Sequence, residues 1–256
     1  MATDTSEKGL ETLIESYLLG TAGEREESSR WEKRTSNDFN KEFCLDEDML
    51  RAFLESTQLD KVNRARIYET PLNTRKFYER LKNQITQRGV IDVIRYGIEH
   101  NATPFDLYYP LPAKANLAAQ AAYSQNRWSV VRQLHYSLTK TRDSIDMVFM
   151  INGLPIITME LKNELTTQNC DDAIHQYQFD RDAKELLFMP KRCAVHFAVD
   201  DAEVKMCTKL CGADSWFLPF NKGCDDGAGN PSIDGKIKTS YLWEDILQNL
   251  NSATLL

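Results

Sequence analysis

The sequence predicts a mixed α/β fold of α+β character, a mixed central sheet flanked by helices and preceded by an N-terminal helical extension. Three observations lead there. Residues 127–162 hold three apolar, strand-like runs in succession. The stretch from Ile156 to Val199 then reads strand, helix, strand, which implies a parallel pair joined by a crossover. Upstream of residue 110 the apolar spacing is mostly helical. All 256 residues are expected to form a single unit. Residues 1–110 are its mainly helical part, 120–222 its core and 223–256 a C-terminal segment.

"SEKGLETLIESYLLG" starts at an N-cap candidate, Ser6, puts Leu10, Leu13, Ile14, Tyr17 and Leu18 on one helical face and stops at Gly20. Glu7 falls inside that apolar arc and Glu11 at its edge, so one of them either faces something other than bulk water or sits as a solvated first-turn acid favoured by the helix dipole. Residues 21–40 are charged and aperiodic and read as a surface loop. Helical patterns follow at "DEDMLRAFLEST" and at "NTRKFYERLKNQITQRG", the latter capped by Asn73 and stopped by Gly89. "GVIDVIRYGI" reads as a strand, and "YYPLPAKANLAAQAAYSQN" as a proline-bounded connection with a short helix. The strands "RWSVVRQLHYS", "SIDMVFMI" and "PIITMELK" come next, then a helix near "CDDAIHQYQFDRDAKELLF" and the strand "RCAVHFAVD".

Net charge is −7, which argues against a protein that coats nucleic acid by bulk electrostatics. Between Lys61 and Arg95, however, nine Lys/Arg face three acids. That stretch suits a phosphate-facing patch, a solvated helix face or a docking surface. No apolar run approaches the roughly 20 residues of a membrane helix, and the polar N-terminus has no signal-peptide core, so a cytoplasmic location is expected. The six cysteines are expected to be reduced and structural. A zinc set of Cys193, His196, Cys207 and Cys211 lacks a paired CxxC.

The informative stretch is "PIITMELKN". Side chains two apart on a strand share a face, so Glu160 and Lys162 project together, opposite Ile157, Met159 and Leu161. Asp146 lies on the preceding strand. A strict two-residue Asn152-Gly153 turn turns its carboxylate away from Glu160, whereas a three-residue loop Asn152-Gly153-Leu154 sets the acids across from each other. The odd loop is therefore expected if the two acids cooperate. Two carboxylates plus the Leu161 carbonyl make an all-oxygen site for a hard divalent cation. Such an ion neutralises a scissile phosphate and acidifies water, and Lys162 stabilises the extra charge of the transition state or orients the attacking water. A structural ion-pair cluster fits the same spacing.

An Asp, a hairpin and Glu-x-Lys at a strand end resemble the PD-(D/E)xK nuclease motif. The blocks "NRWSVVRQLHYS", "SIDMVFMINGLPIITMELKN", "DDAIHQYQFDRD", "VHFAVDDAEVKMCTKL", "WFLPFNKGCDDGAGNP" and "TSYLWEDIL", with "FNKEFCLD" near the start, resemble the N-terminal domain of the R (restriction) subunit of type I restriction enzymes. The resemblance implies a restriction-endonuclease-like core and a catalytic set of Asp146, Glu160 and Lys162. Its metal set is Asp146, Glu160 and the Leu161 backbone carbonyl. It implies Mg²⁺ as cofactor, with Mn²⁺ as a substitute, and double-stranded DNA as substrate, cut without sequence reading.

It also implies a helical QxxxY motif. Here Gln176 is followed four residues on by Asp180, with Tyr177 the nearest aromatic, and Arg181 is expected as a phosphate ligand in the tyrosine's place. Gln176, Tyr177, Arg181, Glu7 and Glu11 are thus auxiliary candidates, and without the family Gln176 and Arg181 read as ordinary helix-surface residues. Partners implied are the methylation (M) and specificity (S) subunits and the R subunit's own motor lobes, which use ATP to move DNA. No membrane is implied. "GNPSIDGKI" misses the P-loop spacing by one residue and has Ile237 where Ser or Thr should stand, so ATP is expected to act only through motor lobes outside this chain. The sequence therefore looks like an excised nuclease domain. The alternative is a non-catalytic DNA-binding or docking module that uses residues 61–95.

Overall fold

A computed structural model describes residues 7–21, 31–113, 116–163, 168–224, 227–248 and 250, with side chains from residue 9 onward. The elements run in chain order α1 (Glu7–Leu18), β1 (Trp31–Arg34), β2 (Phe39–Asn40), β3 (Leu45–Asp46), α2 (Glu47–Ala65), α3 (Pro71–Arg88) and α4 (Val90–Tyr96). The short hairpin β4 (Ile98–His100) and β5 (Thr103–Phe105) and the helix α5 (Leu117–Ser124) lead to β6 (Trp128–His135), β7 (Ser144–Ile151) and β8 (Leu154–Leu161). Then come α6 (Cys170–His175), continued by a π-helical turn (Gln176–Asp180), and β9 (Val195–Val199), β10 (Val204–Cys207) and β11 (Leu218–Pro219). A second π-helical segment spans Leu242–Leu247.

Seven strands form one mixed sheet in the order β1-β6-β7-β8-β9-β10-β11. β8 and β9 are parallel and joined through α6, as the strand, helix, strand reading expects, while β6, β7 and β8 form an antiparallel meander. Both faces of the sheet are covered. Met147, Phe149, Ile157, Met159 and Leu161 pack with the N-terminal helices and Trp243 on one side. Val148 and Met150 pack with Tyr177, Leu187 and Phe188 on the other. Each large side chain so buried contributes about 1.5–3 kcal/mol, which is why the register of β7 on β8 is strongly specified.

Several elements differ from the sequence reading. Trp31–Arg34 is a strand, not part of a loop: Trp31 is buried against Trp128 and Phe149, and β1 pairs in parallel with β6. "GVIDVIRYGI" is a helix followed by a short strand. Val90, Val93 and Ile94 are buried at helical spacing, and Gly89 and Gly97, with φ of 97° and 63°, bracket the helix. α3 is capped by Thr70, whose side chain accepts from the Asn73 amide, with Pro71 at the helix start in place of the expected Asn73 cap. Ser6, expected to cap α1, lies outside the described residues.

The hairpin carries the correction that matters for the site. Its loop is the two residues Asn152-Gly153, because Ile151 pairs with Leu154 and Met150 with Pro155. The three-residue loop is absent. Phe149 nevertheless pairs with Ile157, so Ile156 is an extra residue in β8, a β-bulge that shifts the register by one. Met147 then pairs with Met159, which carries Asp146 opposite Glu160. The expected facing of the acids is present, produced by a bulge inside the strand.

Candidate active site

The bulge puts Asp146 and Glu160 on the sheet face covered by α6 and its π-helical extension. Glu160 is 0% exposed and Asp146 7%. Both Asp146 oxygens are held: Oδ2 accepts from the Leu161 amide at 2.8 Å and Oδ1 from Gln133 Nε2 at 3.1 Å. Glu160 Oε1 accepts from Arg181 Nε at 2.5 Å, whereas Oε2 is buried with no hydrogen-bond partner. Burial, and then the neighbouring Asp146 charge, push the Glu160 carboxyl well above the usual carboxylate range despite Arg181. Arg181 is held the more firmly cationic: burial opposes its charge, but Glu160, with Tyr136 and Asp146 adding, more than offsets burial.

Lys162 follows β8 by one residue and donates its amide to the Val199 carbonyl at 2.9 Å, so the ladder continues through it. Strand alternation assigns its side chain, 3% exposed, to the face of Glu160.

A buried carboxylate oxygen without a donor, beside a second carboxylate, is the environment a cation relieves. Among the described residues no group of three or more His, Cys, Asp or Glu side chains is placed to hold a metal ion, the set of Cys193, His196, Cys207 and Cys211 included. The donor set is thus the acid pair, and one or two carboxylates are what Mg²⁺ ordinarily takes from a protein while keeping several waters. Residues and ion fit.

The auxiliary candidates divide. Gln176, first residue of the π-helical turn, has its Oε1 buried without a partner. Tyr177 is fully buried, its hydroxyl 2.9 Å from Thr158 Oγ1, and Thr158 Oγ1 also lies 2.7 Å from His196 Nδ1. Tyr177 therefore pins the helix to β8 two residues before Glu160 and faces the core. Burial pushes the His196 imidazole down to about 3, so it is neutral. Arg181, expected as a phosphate ligand, spends its Nε on Glu160, and its role begins there.

Glu11 is 1% exposed and belongs to the site's surroundings: Arg132 Nε donates to its Oε2 at 2.8 Å and Gln133 Nε2 to its Oε1 at 2.7 Å. Burial first, with Asp146 adding, raises its carboxyl. The side chain of Glu7 lies outside the described residues.

Gln133, Arg132 and Thr158 were not singled out from the sequence, and His196 only as a member of the zinc set. Thr158 and His196 sit on apolar strands where hydroxyl and imidazole are ordinary core residues. Gln133 had one signal, a polar residue next to the buried Leu134 near the end of β6.

Four of the nine cations of the stretch 61–95 are held in ion pairs. Lys61 pairs with Asp106, Arg66 with Glu69, Arg75 with Glu42 and Glu79, and Arg88 with Asp92. None of the six cysteines is in a disulfide. Among the described residues no helix is long and apolar enough to cross a membrane.

In comparison with known proteins, the family model described as the type I restriction enzyme R protein N terminus matches residues 4–215. No curated protein matches the chain.

Proposed function

We propose, for a chain that belongs to the family of type I restriction enzyme R protein N-terminal domains, that it is a Mg²⁺-dependent endonuclease domain cleaving phosphodiester bonds of double-stranded DNA without reading sequence. The observation that carries this reading is the facing pair Asp146 and Glu160 at the end of β8, buried, with Glu160 Oε2 unpartnered and Lys162 two residues on.

Asp146, Glu160 and the Leu161 carbonyl would hold the ion, with Mn²⁺ as a substitute. Bound there, Mg²⁺ would neutralise the scissile phosphate and lower the pKa of the attacking water. The chain's own groups do the rest. Arg181 fixes Glu160 through Oε1 and leaves Oε2 to the site. The Leu161 amide and Gln133 fix Asp146, so neither acid reorganises when charge develops. Lys162 orients the water and offsets the charge of the pentacovalent transition state. Attack forms the new P–O bond, the bond to the leaving oxygen breaks, and that oxygen takes up a proton.

In the assembled enzyme the domain would act with motor lobes that consume ATP and with the M and S subunits, so cutting would follow DNA delivery and target choice would lie elsewhere. The rival reading, a docking module built on residues 61–95, has fewer charges to offer than the sequence suggests, because Lys61, Arg66, Arg75 and Arg88 are engaged in local ion pairs.

The test is nicking of supercoiled plasmid in Mg²⁺ by the purified chain, beside Asp146→Asn and Lys162→Met at equal purity. The wild type should convert plasmid to nicked and linear forms, and each variant should lose about 10²–10³-fold. Equal nicking by all three would assign the activity to a contaminant. In the assembled enzyme, restriction that survives either substitution while translocation continues would overturn the assignment.

A further inference from the structure

Gln133 lies within β6 yet has a φ of 48°, the left-handed region that non-glycine residues enter only at a cost in free energy. Its neighbours are paired, Arg132 with Met147 and Leu134 with Ile145, but Gln133 has no ladder partner opposite Asp146. Strand alternation breaks there on both strands. Val131 and Leu134, three residues apart, pack in the same cluster, while Ile145 and Met147, two apart, pack on opposite faces of the sheet. The kink is therefore centred on Asp146 and the residue across from it.

What the kink does is visible in the side chain. The Gln133 amide nitrogen donates to Glu11 Oε1 at 2.7 Å and to Asp146 Oδ1 at 3.1 Å, and its carbonyl oxygen accepts from Ser144 Oγ at 2.9 Å. One NH₂ thus uses both of its protons on two acids, one from α1 and one from β7. No other described hydrogen bond joins α1 to either acid of the β7–β8 pair. Gln133 is itself exposed, so this bridge lies at the mouth of the site, where a large anionic substrate would arrive.

We propose that Gln133 is a positioning residue of the cation site. Its strained backbone is held because only that conformation aims the carboxamide between Glu11 and Asp146. The bridge fixes Asp146 Oδ1 while the Leu161 amide fixes Oδ2, and it ties the N-terminal helix to the metal-binding carboxylate. Docking of α1 and the affinity for a divalent cation are thereby coupled. This inference rests on the reading of Asp146 and Glu160 as cation ligands.

The test compares Gln133→Ala, which removes the bridge and keeps the strain, with Gln133→Gly, which removes both. The 256-residue chain is titrated with Mn²⁺ by electron paramagnetic resonance and melted without added metal. Gln133→Gly should melt higher than Gln133→Ala, because glycine adopts positive φ freely. Both should bind Mn²⁺ at least about tenfold more weakly than wild type, the loss expected when a residue orienting a ligand is removed. Better folding with poorer metal binding is a combination that a merely structural residue does not give. Mn²⁺ affinity equal to wild type in both variants would overturn the proposal and leave the cation site standing. A folded wild type that binds no Mn²⁺, or binds it as well after Asp146→Asn, would overturn the cation reading first and this inference with it.

Discussion

Asp146 and Glu160 face one another across β7 and β8 because Ile156 is bulged out of register, although the hairpin loop between them is the tight Asn152-Gly153 pair. The bulge converts a register that would have sent the two carboxylates to opposite faces of the sheet into one that brings them together. Bulges near active sites re-aim side chains in this way.

The tight loop has a stability consequence. Asn152 and Gly153 have φ of 50° and 81°, as an Asn-Gly hairpin turn requires. A Cβ on Gly153 would sit 2.3 Å from the Asp46 carbonyl oxygen and 2.9 Å from the Leu50 nitrogen, both backbone atoms that cannot swing away. Gly153→Ala should therefore destabilise the fold by about 3 kcal/mol or more, read as a shift in the chemical denaturation midpoint at unchanged slope. A loss within about 0.5 kcal/mol would mean that this turn does not dock on α2.

Cation binding should depend on pH in a defined direction. The Glu160 carboxyl is held well above 4.5 by burial and by Asp146, so below that raised value it carries a proton that the incoming ion must displace. Mn²⁺ affinity should rise with pH from about 4.5 upward, level off once Glu160 is ionised, and be accompanied by proton release in calorimetry across buffers of different ionisation enthalpy. Arg181 lowers the Glu160 value, so Arg181→Met should move the same window to higher pH. Affinity flat between pH 5 and 8, without proton release, would contradict this.

His196 gives a second pH dependence, in folding rather than binding. Its folded value, about 3, lies below its ordinary 6.5 because burial disfavours the cation. The unfolded chain therefore binds more protons between those limits, and stability is full above about 6.5 and falls as pH drops toward 3. The slope should approach about 1.4 kcal/mol per pH unit from this residue alone. Denaturation midpoints at several pH values, for wild type and His196→Asn, should differ in slope over pH 4–6 and run parallel above pH 7. Parallel behaviour throughout would remove His196 from the buried network with Thr158 and Tyr177.

Much of the site was legible because its signals are local. Apolar alternation marked β7 and β8, parity put Glu160 and Lys162 on one face, and the helical wheel put Glu11 at the edge of the apolar arc of α1. The strand order from β8 through α6 to β9 followed from element type alone. What escaped depends on contacts far apart in sequence. Trp31–Arg34 has one apolar residue, and only its pairing with β6 and the packing of Trp31 against Trp128 make it a strand. α4 is seven residues long, too short for its helical period to stand out from an apolar run, although Gly89 and Gly97 at its ends were the cue available. The bulge at Ile156 leaves no mark in composition, because Pro-Ile-Ile-Thr-Met alternates acceptably in either register. Gln133 adopts a left-handed backbone for the sake of two acids on other elements, which no local preference of glutamine indicates.

The central claim, that Asp146 and Glu160 hold the divalent cation at which DNA is cut, is tested most directly by anomalous diffraction from crystals of the chain soaked in Mn²⁺. The account predicts a manganese peak between the two carboxylates, at about 2.0–2.2 Å from Glu160 Oε2 and from an Asp146 oxygen, and its loss in Asp146→Asn. Manganese bound elsewhere, with Asp146 and Glu160 making the same hydrogen bonds and no peak between them, would contradict it.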